Sequence, residues 1–146
     1  MTTPLLTEAL AAIEPLLLDD SFVLIGYERG LAPPTPDALA GEAFAVRIDD
    51  PYETTFILRA ALAEDLPEPS VRVGPLRVIV LVGQLDPGLT GFLSVIAGAL
   101  AERGIAIVPI GATTRDHLLI PADSWPEALA ILRGLRDAAR SLSDTP

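Results

Sequence analysis

The sequence predicts an α+β fold in which helices cover one face of antiparallel β-sheets. Segments with helical periodicity alternate with short runs rich in β-branched residues, and the second half has the order strand, helix, strand, strand, helix. Half of the 146 residues are apolar and 21% are charged, which is a globular composition. A chain of this length buries enough surface for a hydrophobic core.

The first half begins with a predicted helix over residues 5–18, where an apolar stripe recurs at spacings of three or four. Pro15 lies within this pattern and predicts a kink or an early end of the helix. Apolar or alternating segments then predict strands at residues 21–27, 43–48 and 54–58, followed by a short helix over residues 60–66. The segment Pro67-Glu68-Pro69 predicts a domain boundary, which divides the chain into residues 1–70 and 71–146.

The second half carries stronger signals. A β-branched run predicts a strand over residues 76–85, and an apolar stripe predicts a helix over residues 89–103 that ends at Gly104. Two strands follow, at residues 105–110 and 117–120. The segment Ser124-Trp125-Pro126-Glu127 has the form of a capping box and predicts the start of a last helix. This order is the ferredoxin-like layout without its closing strand.

Composition excludes several classes of function. The net charge is −10 and every basic residue is an arginine, so we expect no nucleic-acid partner, because such a surface repels phosphate backbones. The absence of cysteine excludes disulfides, thiolate metal sites and cysteine nucleophiles. The apolar runs are far shorter than the roughly 20 residues of a membrane helix. The N-terminus also lacks the basic start of a secretory signal, so we expect a cytoplasmic protein without membrane contact.

Catalytic and metal-binding patterns are weak. His117 follows Asp116, but alternation along a strand places these two side chains on opposite faces, and no serine lies in a nucleophile-elbow motif. The pairs Asp19-Asp20 and Asp49-Asp50 lie in predicted turns without the spacing of a calcium loop. The glycines match neither a P-loop nor a dinucleotide-binding motif. We therefore expect no enzyme activity, no metal and no cofactor.

One segment has the chemistry of a binding site. Residues Asp86-Pro87-Gly88-Leu89-Thr90-Gly91 join a buried strand to a helix, and Gly88 permits a tight turn with close approach to the backbone. The free N–H groups at the start of the helix suit a carboxylate. Asp86 beside them suits an ammonium group, so together they predict an amino-acid site. A plain strand-to-helix turn capped by Thr90 or Asp86 is the alternative.

Two segments in the second half resemble an ACT domain. The residues Leu85-Asp86-Pro87-Gly88-Leu89-Thr90-Gly91, with Leu100–Ile105 after them, resemble its first strand, loop and helix and its second strand. Residues Arg115–Pro121, followed by Ala128-Leu129, are similar to the D-H-x-x-V-P … A-L segment of small bacterial tandem-ACT proteins akin to the aspartate kinase regulatory region. In the first half, Phe44–Arg47 and Glu53–Leu58 resemble a strand pair of the same branch.

The resemblance implies tandem ferredoxin-like ACT domains that form a homodimer and bind an amino acid or a similar effector. Carried over by position, the ligand-binding residues would be Asp86, Pro87, Gly88, Leu89, Thr90, Ile110, Ala112, Thr113 and Asp116. The expected function is a non-catalytic sensor that passes ligand occupancy to a protein partner. Ala112–Arg115 replace aromatic residues often found there, which favours a second hypothesis, an interaction module with a degenerate pocket. A small enzyme that depends on His117 is a third hypothesis.

Overall fold

The computed structural model describes residues 4–83 and 85–144. The helices are α1 (Pro4–Ala12), α2 (Ala60–Ala63), α3 (Phe92–Glu102) and α4 (Trp125–Ser143), and 3-10 turns span Asp37–Gly41 and Ala122–Ser124. The strands are β1 (Glu14–Leu17), β2 (Phe22–Glu28), β3 (Val46–Asp49), β4 (Glu53–Arg59), β5 (Val71–Val82), β6 (Val108–Gly111) and β7 (Asp116–Pro121). The predicted α+β class with antiparallel, ferredoxin-like sheets is confirmed.

The residues group into two compact units. Asp19–Arg77 form what we call the central unit, and the described residues before Asp19 and after Arg77 form the terminal unit. Strand β5 contributes its first seven residues to the former and its last five to the latter. The division into domains at residues 70 and 71 stays a prediction.

The central unit is an antiparallel sheet in the order β3-β4-β2-β5. Its buried core is Val23, Ile25, Tyr27, Phe56, Leu58 and Ala63. Between β2 and β3, where a ferredoxin-like fold has a helix, the chain has a loop with one 3-10 turn. Prolines at positions 33, 34 and 36 account for this loop, because each removes a backbone donor that a helix needs.

The terminal unit has the strand order β1-β5-β7-β6, with α1, α3 and α4 packed on it. The predicted order from β5 to α4 is confirmed. The helix predicted over residues 5–18 is wrong in its second half, because it ends at Ala12 and residues 14–17 form β1. Strand β1 pairs antiparallel with β5 and supplies the closing strand that the second half lacks.

Pro15 is compatible with β1 because of its place in the ladder. The Leu18 N–H donates to the Val78 carbonyl at 2.9 Å. Hydrogen-bonded positions alternate along an antiparallel strand, so the backbone N–H and C=O groups of residues 18, 16 and 14 point toward β5. Pro15 lies between two of these positions, opposite Leu81, where its nitrogen points away from β5. A proline at this position costs no ladder bond and blunts a sheet edge.

Helix α4 begins differently from the prediction. The Ser124 hydroxyl makes no capping hydrogen bond and instead lies 3.5 Å from Asp123 Oδ1, so the predicted capping box does not form. The physical reason is the backbone of Ser124, whose φ of −95° and ψ of −5° are helical, whereas an N-cap residue is extended. The preceding 3-10 turn continues directly into α4.

Two arginines of α4 hold the start of β1. Arg136 Nη1 and Arg140 Nη2 each donate to the Glu14 carboxylate at 2.8 Å, and Arg140 Nε donates to the Ala11 carbonyl at 2.9 Å. The hydrogen bond from Arg140, together with the charges of both arginines, lowers the pKa of Glu14 below its ordinary value of 4.5. The ionised form of Glu14 is therefore the form that the folded protein stabilises.

The bonds between Glu14 and the two arginines should make the stability of the fold depend on pH. A carboxyl whose pKa is lower in the folded state stabilises the fold above its unfolded pKa, and this contribution is lost as the pH falls through the folded pKa. We expect Glu14→Gln to have a lower melting temperature than the wild type at pH 7, with a difference that shrinks below about pH 4.5. Melting curves of both proteins between pH 7 and pH 3 measure this, and a constant difference would contradict it.

Candidate functional site

The loop between β5 and α3 is folded around Asp86. Its side-chain Oδ1 accepts the Gly88 N–H at 2.8 Å, and its carbonyl accepts the Leu89 N–H at 2.9 Å. The Leu85 N–H donates to the Thr114 carbonyl at 2.8 Å, which ties this loop to the β6–β7 turn. Asp86 therefore shapes the turn as well as bringing a charge to it.

Helix α3 starts from Gly91, which has a φ of +86°. This left-handed backbone favours glycine, and an added Cβ would lie 3.2 Å from Leu6 Cδ2. No side chain of the described residues caps this end, and the first intrahelical bond runs from the Val95 N–H to the Gly91 carbonyl at 3.1 Å. The N–H groups of the first turn are thus free of side-chain caps, and they carry the positive end of the helix dipole.

The β6–β7 turn forms the opposite wall of the site. Gly111 and Asp116 are partners in the antiparallel register, and the Ala112 N–H donates to the Arg115 carbonyl at 2.9 Å. Residues 112–115 therefore form a tight connection that places Arg115 and Asp116 side by side at the start of β7. The hydrogen bond from Leu85 to Thr114 brings this turn against the β5–α3 loop.

These two segments and the start of α3 enclose what we call the first cleft, with a volume of about 270 Å³. Six of the residues predicted to bind a ligand line it: Asp86, Pro87, Leu89, Ala112, Thr113 and Asp116. The structure therefore places residues of both predicted segments, the loop and the turn, along one cleft. Ligand binding by these residues stays a prediction.

A second cleft, of about 500 Å³, lies on the other side of the same loop, against α1. Gly88 and Thr90, two further predicted residues, line this second cleft together with Leu5, Glu8 and other α1 residues. Asp86 and Leu89 line both clefts. Ile110 lines neither of them, and its carbonyl lies 3.3 Å from His117 Nδ1.

Several residues of the first cleft were not among those predicted to bind a ligand. Arg115, Thr114, Ser94, Phe92 and Gly91 all line it. Arg115 had a readable signal, because it is a basic residue beside Asp116 in an acidic chain. Ser94 and Phe92 had none, since only the fold places the first turn of α3 opposite the β6–β7 turn.

The first cleft combines groups of both charges. The Arg115 guanidinium and the uncapped N-terminus of α3 are its positive groups, and the Asp86 and Asp116 carboxylates are its negative groups. Hydroxyls of Ser94, Thr113 and Thr114 add neutral donors and acceptors. A small zwitterion would find a partner for each of its charges in such a cleft.

Other kinds of site are not assembled in the described residues. Those residues hold no group of three or more His, Asp or Glu side chains placed to bind a metal ion. His117 does not line the first cleft, although its neighbour Asp116 does, which agrees with the predicted alternation of the two side chains. Among the described helices, none has the length and apolarity needed to cross a membrane.

The first cleft lies in a stretch of chain that matches a known family. Residues 73–134 match the family model of the ACT domain. This segment resembles an ACT domain. It contains both walls of the first cleft, and it supports a regulatory role in which a small molecule is bound. No curated protein matches the sequence.

Solved structures extend the similarity of fold beyond this segment. A protein of unknown function from Vibrio cholerae, described as a possible transport protein, is 25% identical with a TM-score of 0.69, over 90% of this chain and 95% of that one. A protein from Agrobacterium tumefaciens is 16% identical with a TM-score of 0.68, over 86% and 90% of the two chains. The regulatory subunit of aspartate kinase from Thermus flavus is 15% identical with a TM-score of 0.58, over 85% and 98%.

Proposed function

We propose that this protein is a non-catalytic cytoplasmic sensor that binds an amino acid in the first cleft and passes its occupancy to a protein partner. The observation that carries the proposal is the meeting of the uncapped start of α3 with the Asp86 and Asp116 carboxylates in one cleft of the ACT domain. The helix N–H groups suit the carboxylate of an amino acid, and the aspartates suit its ammonium group.

The size of the first cleft supports a small ligand. Its volume of about 270 Å³ lies just below the roughly 300–1,000 Å³ of pockets that hold drug-sized molecules. The fold similarity to a regulatory subunit of aspartate kinase agrees with a regulatory role and does not identify the ligand.

This protein would signal through a shift in the populations of its conformations. A ligand that joins the β5–α3 loop to the β6–β7 turn favours conformations in which the two segments are close. It shifts the equilibrium only by its difference in affinity between the states. We further propose that the protein acts as a homodimer, so that ligand occupancy changes a surface that a second chain or a protein partner recognises.

A thermal-shift screen against the twenty amino acids tests the proposal. A ligand at about 100 times its dissociation constant adds roughly 2.7 kcal/mol of stability, which raises the melting temperature of a chain of this size by about 5–10 °C. We expect one or a few amino acids to give such a shift. A screen without any shift would contradict the proposal and favour the interaction module with a degenerate pocket.

Two variants test whether the ligand binds in the first cleft. Asp86→Asn keeps an acceptor for the Gly88 N–H and removes only the charge, so the loop stays folded. Asp116→Asn removes the second carboxylate of the cleft. Both should reduce the shift caused by the amino acid, whereas Asp65→Asn, at an exposed position of the central unit, should leave it unchanged. Equal shifts in all three variants would contradict ligand binding in the first cleft.

A further inference from the structure

Arg115 differs from the other arginines near turns and helix ends. It lines the first cleft and is partly buried, yet within residues 4–83 and 85–144 its guanidinium makes no hydrogen bond or ion pair. Six other arginines in this part of the chain bind carboxylates, for example Arg59 with Glu42 at 2.6 Å and Arg103 with Glu127 at 2.8 Å. Arg29 and Arg133 also have no carboxylate partner among the described residues, but both are exposed, whereas Arg115 is partly buried.

The central unit offers a direct contrast. Arg47 also lies beside a hairpin turn, the one between β3 and β4. Its Nε and Nη2 bind both carboxylate oxygens of Asp49, at 2.9 and 3.2 Å, and its guanidinium carbon lies 5.2 Å from the centre of the Phe56 ring. Arg47 is thus held by its own chain, whereas Arg115 lines the first cleft and makes no such bond to a described residue.

We infer that Arg115 recognises the carboxylate of the ligand together with the N–H groups at the start of α3, so that the ligand class is a free amino acid and not its amide, ester or amine. This inference rests on the proposed function of the first cleft. A guanidinium has five donors in a planar fork that matches the two oxygens of a carboxylate. A partly buried cation without a partner gains most from such a ligand, since the cost of removing it from water is already met by the fold.

The neighbours of Arg115 suit this role. The bond from the Ala112 N–H to the Arg115 carbonyl fixes the turn, so the arginine is presented from a rigid hairpin. Asp116, the next residue, lines the same cleft and supplies a negative group for the ammonium. Asp86 Oδ1 accepts the Gly88 N–H, whereas the Asp116 carboxylate makes no hydrogen bond to a described residue. Arg115 and Asp116 together thus match the opposite charges of one amino acid.

Titration calorimetry on the full chain tests the inference with three variants. Hydrogen bonds to a charged group contribute enough that losing the guanidinium should weaken binding about 10- to 100-fold. We expect this loss in Arg115→Gln for the amino acid found in the screen. Arg115→Lys, which keeps the charge without the fork, should fall between Arg115→Gln and the wild type. Arg133→Gln, at an exposed arginine of α4 outside the cleft, should bind like the wild type.

The α-carboxamide of the same amino acid completes the test. We expect it to bind the wild type far more weakly than the acid, and to bind Arg115→Gln no worse than the wild type. Equal binding of the acid to the wild type and Arg115→Gln would overturn the inference and leave the proposed function standing. If no amino acid binds but acetate or succinate binds the wild type and not Arg115→Gln, the carboxylate role of Arg115 survives and the amino-acid proposal fails. If none of these compounds binds, both fail.

Discussion

Replacing Phe56 by alanine is expected to lower the free energy of unfolding by about 3–5 kcal/mol, as large aromatic truncations in cores do. Phe56 is fully buried in the central unit, where it lies opposite Ile25 in the β2–β4 register. Its ring contacts Tyr27 edge-on, with centroids 6.1 Å apart. Few small units keep their fold after such a loss, because domain stabilities are only about 5–15 kcal/mol.

Urea denaturation followed by circular dichroism measures this change. Tyr52→Ala is a suitable control, since it removes another aromatic side chain of the same unit at a position that is 84% exposed. We expect it to change the free energy of unfolding by no more than about 0.5 kcal/mol. Similar losses for the two variants would contradict the packing of the central unit around Phe56.

The second large effect concerns Ile13, which links α1 to β1. It is 1% exposed and belongs to the core of the terminal unit, together with Leu10, Leu132 and residues of β5 and β7. Ile13→Ala should lower the free energy of unfolding by about 2–5 kcal/mol, the range for large aliphatic side chains in cores. Such a loss would show that the N-terminal residues complete the fold of the ACT-matching segment.

The control for Ile13 is Leu5→Ala, a truncation in α1 at a position that is 68% exposed. It should change the free energy of unfolding by about 0.5 kcal/mol at most. If Ile13→Ala were as mild as Leu5→Ala, residues 4–17 would not be part of the terminal core. The account of β1 as the closing strand would then be wrong.

The order of elements from β5 to α4 could be predicted because each one carries a local signal. The β-branched run of β5, the apolar stripe of α3 and the amphipathic α4 are readable from neighbouring residues alone. Strand β1 could not be predicted in this way. Its four residues continue the apolar spacing of α1, and the partner that makes them a strand, residues 79–82 of β5, is more than sixty positions away.

The turn between β5 and α3 could be predicted because its hydrogen bonds join neighbouring residues. Asp86 and Gly88 form the expected turn, because an aspartate side chain readily accepts a backbone N–H two residues on. That this loop meets residues 112–116 could be predicted only from the resemblance to an ACT domain, because no local pattern joins the two segments. Gly88 and Thr90 line the second cleft because α1 packs beside the loop. The sequence pattern places this helix in the other half of the chain, so their position could not be predicted.

The central claim is that an amino acid binds in the first cleft, and an NMR titration of the 15N-labelled protein tests it most directly. The amino acid chosen by the thermal-shift screen is added stepwise while the backbone amide resonances are followed. We predict saturable changes at residues 85–94 and 112–116, with Gly91, Ser94 and Arg115 among the largest. Saturable changes confined to the central unit, or none at any residue, would contradict the account.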